Sequence, residues 1–130
     1  MNIRYTEEHP SGENLLRLFG SLGWNRLNQT AAQLLQTHRQ SWACVYAYDG
    51  PLLVGTGRVV SDGAATGFLC GLGVSPEYQN HGIGTEMARL LLEKCSANCI
   101  CTELFCEEGL VPFYNRLGFK LFSVGMKKAP

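Results

Sequence analysis

The segment Val74–Thr85 carries the residue types best suited to binding an anion. A strand pattern ends at Val74, and a loop with Gly82 and Gly84 leads directly into a helical pattern. Such a loop presents several backbone N–H groups at a helix N-terminus, where unpaired donors and the helix dipole attract negative charge. Glycine suits the loop because a Cβ would hold a phosphate away from the backbone. The pattern therefore predicts that main-chain N–H groups bind a pyrophosphate, a contact that requires no lysine.

Two familiar phosphate-binding motifs do not fit this segment. A P-loop would continue from its second glycine into Lys and then Ser or Thr, whereas Gly84 is followed directly by Thr85. A dinucleotide fingerprint needs three glycines after a parallel strand, but the strands before this loop are predicted to form an antiparallel meander. From these residues alone two interpretations stay open: a ligand-binding loop, or a helix entrance that needs small residues.

The elements that must position this loop follow from hydrophobic periodicity and turn residues. The first helical pattern starts at Ser11 or Gly12 and ends at Gly20 and Gly23, and the second starts at Asn28 or Thr30 and runs through His38. Two more lie at Ile83–Cys95 and Pro112–Leu117. The strand patterns lie at Asn2–Tyr5, Trp42–Tyr48, Leu52–Val60, Thr66–Val74, Ile100–Cys106 and Phe119–Met126. The resulting order, β-α-α-β-β-β-α-β-α-β, predicts a single mixed α/β domain over residues 1–130.

Two motifs in this order resemble those of a known family. The segment Val74–Gly84 reads Val-x-Pro-x-x-Gln-x-x-Gly-x-Gly and resembles the acyl-coenzyme A signature of the GNAT superfamily of N-acetyltransferases. The segment Phe113–Phe119, Phe-Tyr-Asn-Arg-Leu-Gly-Phe, resembles that family's C-terminal helix-to-strand motif. The resemblance implies the acyl-CoA N-acyltransferase fold, in which the fourth and fifth strands splay apart. It also implies transfer of the acetyl group of acetyl-CoA to a primary amine, without a metal.

The same resemblance implies a cofactor site made largely of main chain. The backbone of Leu72, Gly73 and Val74 would pair with the pantetheine arm as if it were an added strand, and Gln79 would shape the start of the loop. Glycine at positions 71 and 73 fits a bulge at the end of this strand. The residues that would surround the pyrophosphate are Asn80, His81, Gly82, Ile83, Gly84 and Thr85.

Tyr114 matches the family's frequent general acid. A tyrosine with a pKa of about 10 is protonated at neutral pH and can donate to the leaving thiolate of coenzyme A. The general base is open, because the position of a fourth-strand Glu in some members holds Phe68 here. Glu103, in the predicted fifth strand, resembles the catalytic carboxylate of another branch of the family, and deprotonation through water is the alternative.

The sequence gives fewer indications of which residues bind the acceptor amine. Trp24 follows the first predicted helix, in a region that lines the acceptor pocket in the family; a core role is the alternative. Glu107 and Glu108 fall where many relatives have an Asn that touches the cofactor, and two acids there favour a cationic substrate. His9 and His38 are expected on the surface.

The amino-acid composition argues against some classes of binding partner. Eleven basic residues balance eleven acidic ones in 130 residues, so the chain lacks the basic excess typical of nucleic-acid binding. No segment is apolar for long enough to span a bilayer, and charged residues near the N-terminus argue against a signal peptide, so a cytoplasmic protein is expected. The low charge content is compatible with self-association, and a homodimer is expected.

The cysteines allow one further alternative. Without a sign of export, disulfides are not expected, and the six thiols are interpreted as small buried apolar groups. A zinc module is the alternative, although the spacing does not match paired Cys-x-x-Cys knuckles. The residues it would use are Cys95, Cys99, Cys101 and Cys106.

The sequence therefore leaves two classes of function open. The first is an N-acetyltransferase that acts on a small-molecule amine by direct attack in a ternary complex. The second is an acetyl-CoA-binding sensor or interaction module that has lost turnover, which the absent fourth-strand Glu favours.

Overall fold

The computed structural model describes residues 1–130 and contains five β-strands and four α-helices. The strands are β1 (Ile3–Thr6), β2 (Ala43–Asp49), β3 (Leu52–Ser61), β4 (Thr66–Val74) and β5 (Cys101–Glu103). The helices are α1 (Gly12–Leu22), α2 (Ala31–Arg39), α3 (Ile83–Ala97) and α4 (Val111–Asn115). Up to α4 the order is the predicted one, and none of the helices combines the length and hydropathy that a membrane crossing requires.

The strands form one mixed sheet in the order β1-β2-β3-β4-β5. The first three pairings are antiparallel, and β4 pairs with β5 in parallel. In β4 the residues Gly71 and Leu72 lie opposite the single residue Gly57, which makes the predicted bulge. Gly71 has a φ of 60°, a left-handed conformation that glycine adopts without strain.

Helices cover both faces of this sheet. The α3 face carries the larger core, in which Val45, Val59 and Leu69 pack against Met87 and Leu91 of α3. The α1–α2 face carries a smaller core of Leu15, Leu18, Leu34, Cys44, Tyr46 and Leu53. The sheet therefore has one side defined by α3 and one defined by the α1–α2 pair.

Local sequence signals set the ends of α1 and α2. Ser11 caps α1 by accepting from the Asn14 backbone N–H at 3.1 Å, and Gly23 ends it with a φ of 68°. Thr30 and Gln33 form a reciprocal capping box at the start of α2. These caps fix the length of the α1–α2 connection, and Trp24 lies at its start.

The predicted last strand over Phe119–Met126 is absent from the structure. The strand that precedes it along the chain, β5, has three residues instead of the predicted Ile100–Cys106 and offers little edge for pairing. Ser123 also has a φ of 58°, which interrupts an extended backbone. The segment consequently leaves four apolar side chains exposed: Leu121, Phe122, Val124 and Met126.

The cysteines follow the prediction only in part. Cys44 and Cys95 are buried and Cys70 is half-buried, but the three thiols of Cys99, Cys101 and Cys106 are exposed, so the expectation of buried thiols is wrong there. Ile100 alternates with its neighbours and points into the α3-side core. No three His, Cys, Asp or Glu side chains approach closely enough to hold a metal ion, and the zinc alternative gains no support.

His38, expected on the surface, is 1% exposed. Its Nδ1 lies 2.9 Å from the Tyr46 hydroxyl, which also lies 2.8 Å from Nδ1 of His9. Burial, assisted by the nearby charges of Arg58 and His9, lowers the pKa of His38 to about 4. The ring is therefore neutral at physiological pH and belongs to a buried polar network.

This burial predicts a pH-dependent stability. Unfolded His38 takes up a proton below about pH 6.5, whereas the folded ring resists protonation down to about pH 4, so acidification through this window favours the unfolded chain. The shift from 6.5 to about 4 corresponds to roughly 3 kcal/mol. Urea unfolding at pH 7, 5.5 and 4.5 measures the effect, and His38→Asn should flatten the profile. Equal slopes for wild type and variant would contradict the prediction.

Candidate active site

A slot opens where β4 and β5 separate. The two strands pair only from Thr66 to Phe68, opposite Cys101 to Glu103. Beyond this point β4 continues to Val74 with no strand on its β5 side. The predicted cofactor residues Leu72, Gly73 and Val74 therefore lie on an unpaired strand edge, which is free to accept an extended ligand.

The loop after β4 is anchored at two points. The Tyr78 hydroxyl donates to Oδ2 of Asp49 at 2.7 Å, and Nε2 of Gln79 donates to the Val74 carbonyl at 3.0 Å. Asn80 and Gly82 then adopt left-handed conformations with φ of 64° and 80°, which turn the chain into α3. Gln79 thus ties the start of the loop to the end of β4.

The turn leaves a continuous row of backbone donors at the α3 N-terminus. None of the backbone N–H groups of residues 80–85 donates to a protein atom, and the first bond of the helix runs from Glu86 N–H to the Gly82 carbonyl at 3.1 Å. Gly82, the N-cap, has no side chain to satisfy them. The exposed ring of His81 turns back toward the Tyr78 carbonyl at 3.3 Å. These donors and the dipole of a 15-residue helix form a surface suited to binding an anion.

Gly84 lies where this surface meets the slot. A Cβ at Gly84 would lie 3.7 Å from Cγ2 of Val74 and 3.8 Å from Cζ of Phe113. The end of β4, the first turn of α3 and the start of α4 thus converge at one point. Glycine keeps this passage between the loop and the slot open.

Tyr114 lies in α4, on the α3 face of the sheet. It packs against the α3-side core, with its ring edge-on to Phe113 at 4.9 Å and to Phe119 at 5.8 Å between centroids. Burial, with a smaller contribution from Cys106, raises the pKa of its hydroxyl, which makes no hydrogen bond to the protein. The hydroxyl is therefore a free proton donor that keeps its proton above neutral pH.

Glu103 lies on the opposite face of the sheet from Tyr114. It is in register with Phe68, so its half-buried side chain lies on the α1–α2 face of the sheet. Glu103 and Tyr114 both line a cavity of about 500 Å³ between β5, α4 and the C-terminal segment. The sequence-predicted acid and base are thereby brought to one cavity from two sides.

Trp24 covers β4 on the α1–α2 face. Its ring is held edge-on to Phe19 at 5.6 Å and lies over Gly73, where an added Cβ would approach the ring to 2.2 Å. The ring is 39% exposed, so it borders an open region rather than the core. Trp24 therefore lies beside the unpaired edge of β4, next to predicted cofactor residues.

Three features of the site were not expected from the sequence. Phe105 stacks on Phe68, with centroids 5.8 Å apart, at the position of the missing fourth-strand carboxylate. Arg58 lies over the Gly71 bulge, with Nε 3.6 Å from the place of a Gly71 Cβ. Glu107 and Glu108 are both exposed on the β5–α4 connection, but only Glu108 lines the cavity of Glu103 and Tyr114. Strand alternation would have placed Arg58 on a face, but not beside the slot.

Two solved structures share this architecture. A GNAT-family acetyltransferase from Streptococcus pneumoniae TIGR4 is 28% identical, with a TM-score of 0.78 over 99% of this chain and 97% of that chain. A probable acetyltransferase of unknown function from meticillin-resistant Staphylococcus aureus is 20% identical, with a TM-score of 0.87 over 99% and 100%. The second likeness concerns the fold alone.

Two curated relatives match part of their own length. The chain is 25% identical to GCN5-related N-acetyltransferase 1, chloroplastic, of Arabidopsis thaliana over 126 residues, which are 96% of this chain and 64% of that protein. It is 34% identical to GCN5-related N-acetyltransferase 2, chloroplastic, of the same plant over 79 residues, 58% of this chain and 30% of that protein. The chain thus spans less than two thirds of either relative.

The family model matches most of the chain. The model of the acetyltransferase (GNAT) family matches residues 9–119, a range that includes the slot, the donor row of α3 and the α4 motif. With five strands and the β4–β5 splay in the expected places, fold and family model agree. The chain belongs to the GNAT acetyltransferase family.

Proposed function

We propose that this chain transfers the acetyl group of acetyl-CoA to the primary amine of a small molecule. The observation that carries the proposal is the row of free N–H groups at residues 80–85, directly beside the unpaired edge of β4. The row suits a pyrophosphate, and the edge suits the amide-containing pantetheine arm. The two features are joined at Gly84, where the absence of a side chain lets one ligand pass from one to the other.

In the proposed reaction the amine attacks the thioester directly. Glu103, itself or through a water molecule, accepts a proton from the ammonium of the acceptor. The amine nitrogen then forms a bond to the thioester carbonyl carbon, the carbon–sulfur bond breaks, and the Tyr114 hydroxyl donates its proton to the departing sulfur. The nitrogen loses its second proton, which restores the Tyr114 hydroxyl through solvent, and Glu103 releases its own proton to solvent. The products are an acetamide and coenzyme A with a free thiol, and no acyl-enzyme is required.

The positions of the two groups support these roles. Tyr114 packs on the α3 face, the side of the donor row, whereas Glu103 lies on the α1–α2 face. The raised pKa of Tyr114 keeps the acid protonated. Trp24, which lies over Gly73, borders the acceptor's side of the slot.

A turnover assay tests the proposal. The protein is incubated with acetyl-CoA and a panel of primary amines, while thiol release and the mass of the acetylated product are followed. We expect release of coenzyme A that depends on the amine and matches the acetamide formed. Thiol release that is independent of every amine, or no acetamide in any reaction, would contradict the proposal.

A second candidate function rests on Phe68. Its stacking with Phe105 puts an apolar pair where some family members have a catalytic carboxylate, which favours an acetyl-CoA sensor without turnover. Such a sensor would bind acetyl-CoA as tightly as an enzyme but acetylate none of the amines. Binding and turnover measured on the same preparation therefore separate the two.

A further inference from the structure

Arg58 is a half-buried cation without a counter-ion. The ion pairs of the structure join Arg89 to Glu86 and Glu93, and Lys94 to Glu7; none involves Arg58. The guanidinium donates a single hydrogen bond, from Nη1 to the Ser41 hydroxyl at 3.2 Å, and that hydroxyl is held by its own bond to the Thr37 carbonyl at 2.9 Å. Most of the guanidinium's donors are thus unused.

The groups around Arg58 carry no negative charge. His38, Cys44, Tyr46 and Cys70 are close enough to feel its charge. Burial lowers the pKa of His38 and raises the pKa of both thiols and of the tyrosine, so all four are neutral at physiological pH. A charge held among neutral, partly buried groups is costly unless a ligand of opposite sign offsets it.

Arg58 lies on the face of the sheet from which the acceptor would enter the slot. It lies over the Gly71 bulge of β4, on the strand edge that separates from β5. The adjacent residue Cys70 lines a hollow of about 210 Å³ with Phe68, Leu69 and Phe105. Because the donor row and α4 lie toward the α3 face, an acceptor must approach the slot from the α1–α2 face, where Arg58 lies.

Two buried polar atoms in the same layer also lack partners. Thr56, which is 0% exposed, precedes Arg58 by two residues on the same face of β3, and its Oγ1 makes no hydrogen bond. Nε2 of His38, beneath α2, makes none either. The layer between the sheet and the α1–α2 pair thus contains an unpaired cation and unused hydrogen-bonding capacity.

Glu103 supplies the opposite charge at the far end of this region. Arg58 is in register with Cys70 and Glu103 with Phe68, so the two charges are two strands apart. With strands about 4.8 Å apart and a rise of about 3.3 Å per residue, their backbones are separated by roughly 12 Å. A small zwitterion fits between a base at one end and a guanidinium at the other.

We propose that the acceptor is a small primary amine that also carries a carboxylate or phosphate group, which Arg58 binds while the amine faces Glu103. This inference rests on the proposed acetyl transfer and specifies its substrate class. A guanidinium binds either anion through two parallel N–H donors. The preference contrasts with the cationic substrate that Glu107 and Glu108 suggest from the sequence.

Matched amines test the preference. The kcat/KM values are compared for β-alanine and 3-aminopropionamide, for L-amino acids and their amides, and for phosphoethanolamine and ethanolamine, with cadaverine as a dication. For at least one pair, we expect the kcat/KM of the amine with an anionic group to exceed that of its partner without this group tenfold or more. A comparison of the carboxylate pairs with the phosphate pair identifies which anionic group is bound. Preference for neutral or dicationic amines would overturn the inference.

Variants of Arg58 assign the preference to this residue. The stem covers Gly71, with Cγ at 3.8 Å and Cδ at 4.0 Å from the Cβ position, so Arg58→Met keeps this packing and removes the charge. We expect Arg58→Met to lose tenfold or more in kcat/KM for the anionic amine only, and Arg58→Lys to restore part of it. A purely structural role would lower both amines of a pair equally.

A measurement of acetyl-CoA binding distinguishes a failure of this substrate inference from a failure of the proposed acetyl transfer. The rise in unfolding temperature with acetyl-CoA should be the same for Arg58→Met and wild type, since Arg58 is remote from the donor row. If acetyl-CoA binds but no anionic amine is acetylated, the substrate inference fails by itself. If acetyl-CoA does not stabilise the wild type, the proposed function fails with it. Should Arg58→Met not fold, the wild-type comparison of matched amines decides.

Discussion

Replacing Gly84 with leucine is expected to weaken acetyl-CoA binding at least a hundredfold while the fold is retained. A Cβ at this position would meet Val74 and Phe113 at ordinary contact distances of 3.7 and 3.8 Å, so the protein tolerates it. The rest of a leucine side chain would fill the passage between the donor row and the slot. Isothermal titration of acetyl-CoA into wild type, Gly84→Ala and Gly84→Leu measures the effect, and we expect affinity to fall in that order.

The matched control is Gly20→Leu. Gly20 lies in α1, and a Cβ there would meet no atom within 4 Å. Both substitutions remove a helical glycine, which favours the helix by up to about 1 kcal/mol. Unfolding temperatures without ligand should therefore be similar, and Gly20→Leu should bind as wild type does. Undiminished binding by a folded Gly84→Leu variant would show that the ligand takes another route.

Tyr114→Phe is expected to lower kcat a hundredfold or more, with the affinity for acetyl-CoA little changed. The phenyl ring keeps the edge-on contacts with Phe113 and Phe119, so only the hydroxyl is removed. General acid catalysis typically contributes about 10²–10⁴-fold. Without this donor the sulfur must leave as an unprotonated thiolate. Steady-state kinetics with acetyl-CoA and the best amine of the panel give kcat and KM separately.

The pH dependence gives a second observation on Tyr114. Burial raises the pKa of its hydroxyl above the ordinary value, so the acid stays protonated throughout the usual assay range. The rate should therefore rise with pH as the amine loses its proton, without a descending limb below about pH 10. Tyr5→Phe, on β1 at the opposite edge of the sheet, should behave like wild type. An unchanged kcat for Tyr114→Phe would remove Tyr114 from the mechanism.

Much of the scaffold was predictable because its signals are local. The Ser11 and Thr30 caps, the Asp49-Gly50 turn and the glycines before α3 each act within a few residues. The strand order up to β5 follows from these signals and the switch of period after β4. The donor row at α3 could be predicted from Gly82 and Gly84 for the same reason.

Features that depend on distant contacts could not be predicted. The segment Phe119–Met126 is rich in apolar residues, but a strand there needs an edge that the three-residue β5 does not supply. His38 lies four residues after Leu34 on the buried face of α2, but its partner Tyr46 comes from a different element. The bulge at Gly71 brings Arg58 close to the slot through tertiary structure. The homodimer and the cytoplasmic location stay predictions.

Thermal unfolding with and without acetyl-CoA tests most directly whether the donor row and the unpaired edge of β4 form a cofactor site. A ligand at a hundred times its dissociation constant stabilises the fold by about 2.7 kcal/mol, a rise of several degrees for a domain of this size. We predict such a rise with acetyl-CoA and none with NADH or ATP at the same concentration. No rise with millimolar acetyl-CoA would contradict the account, because the glycine loop would then be a purely structural entrance to α3.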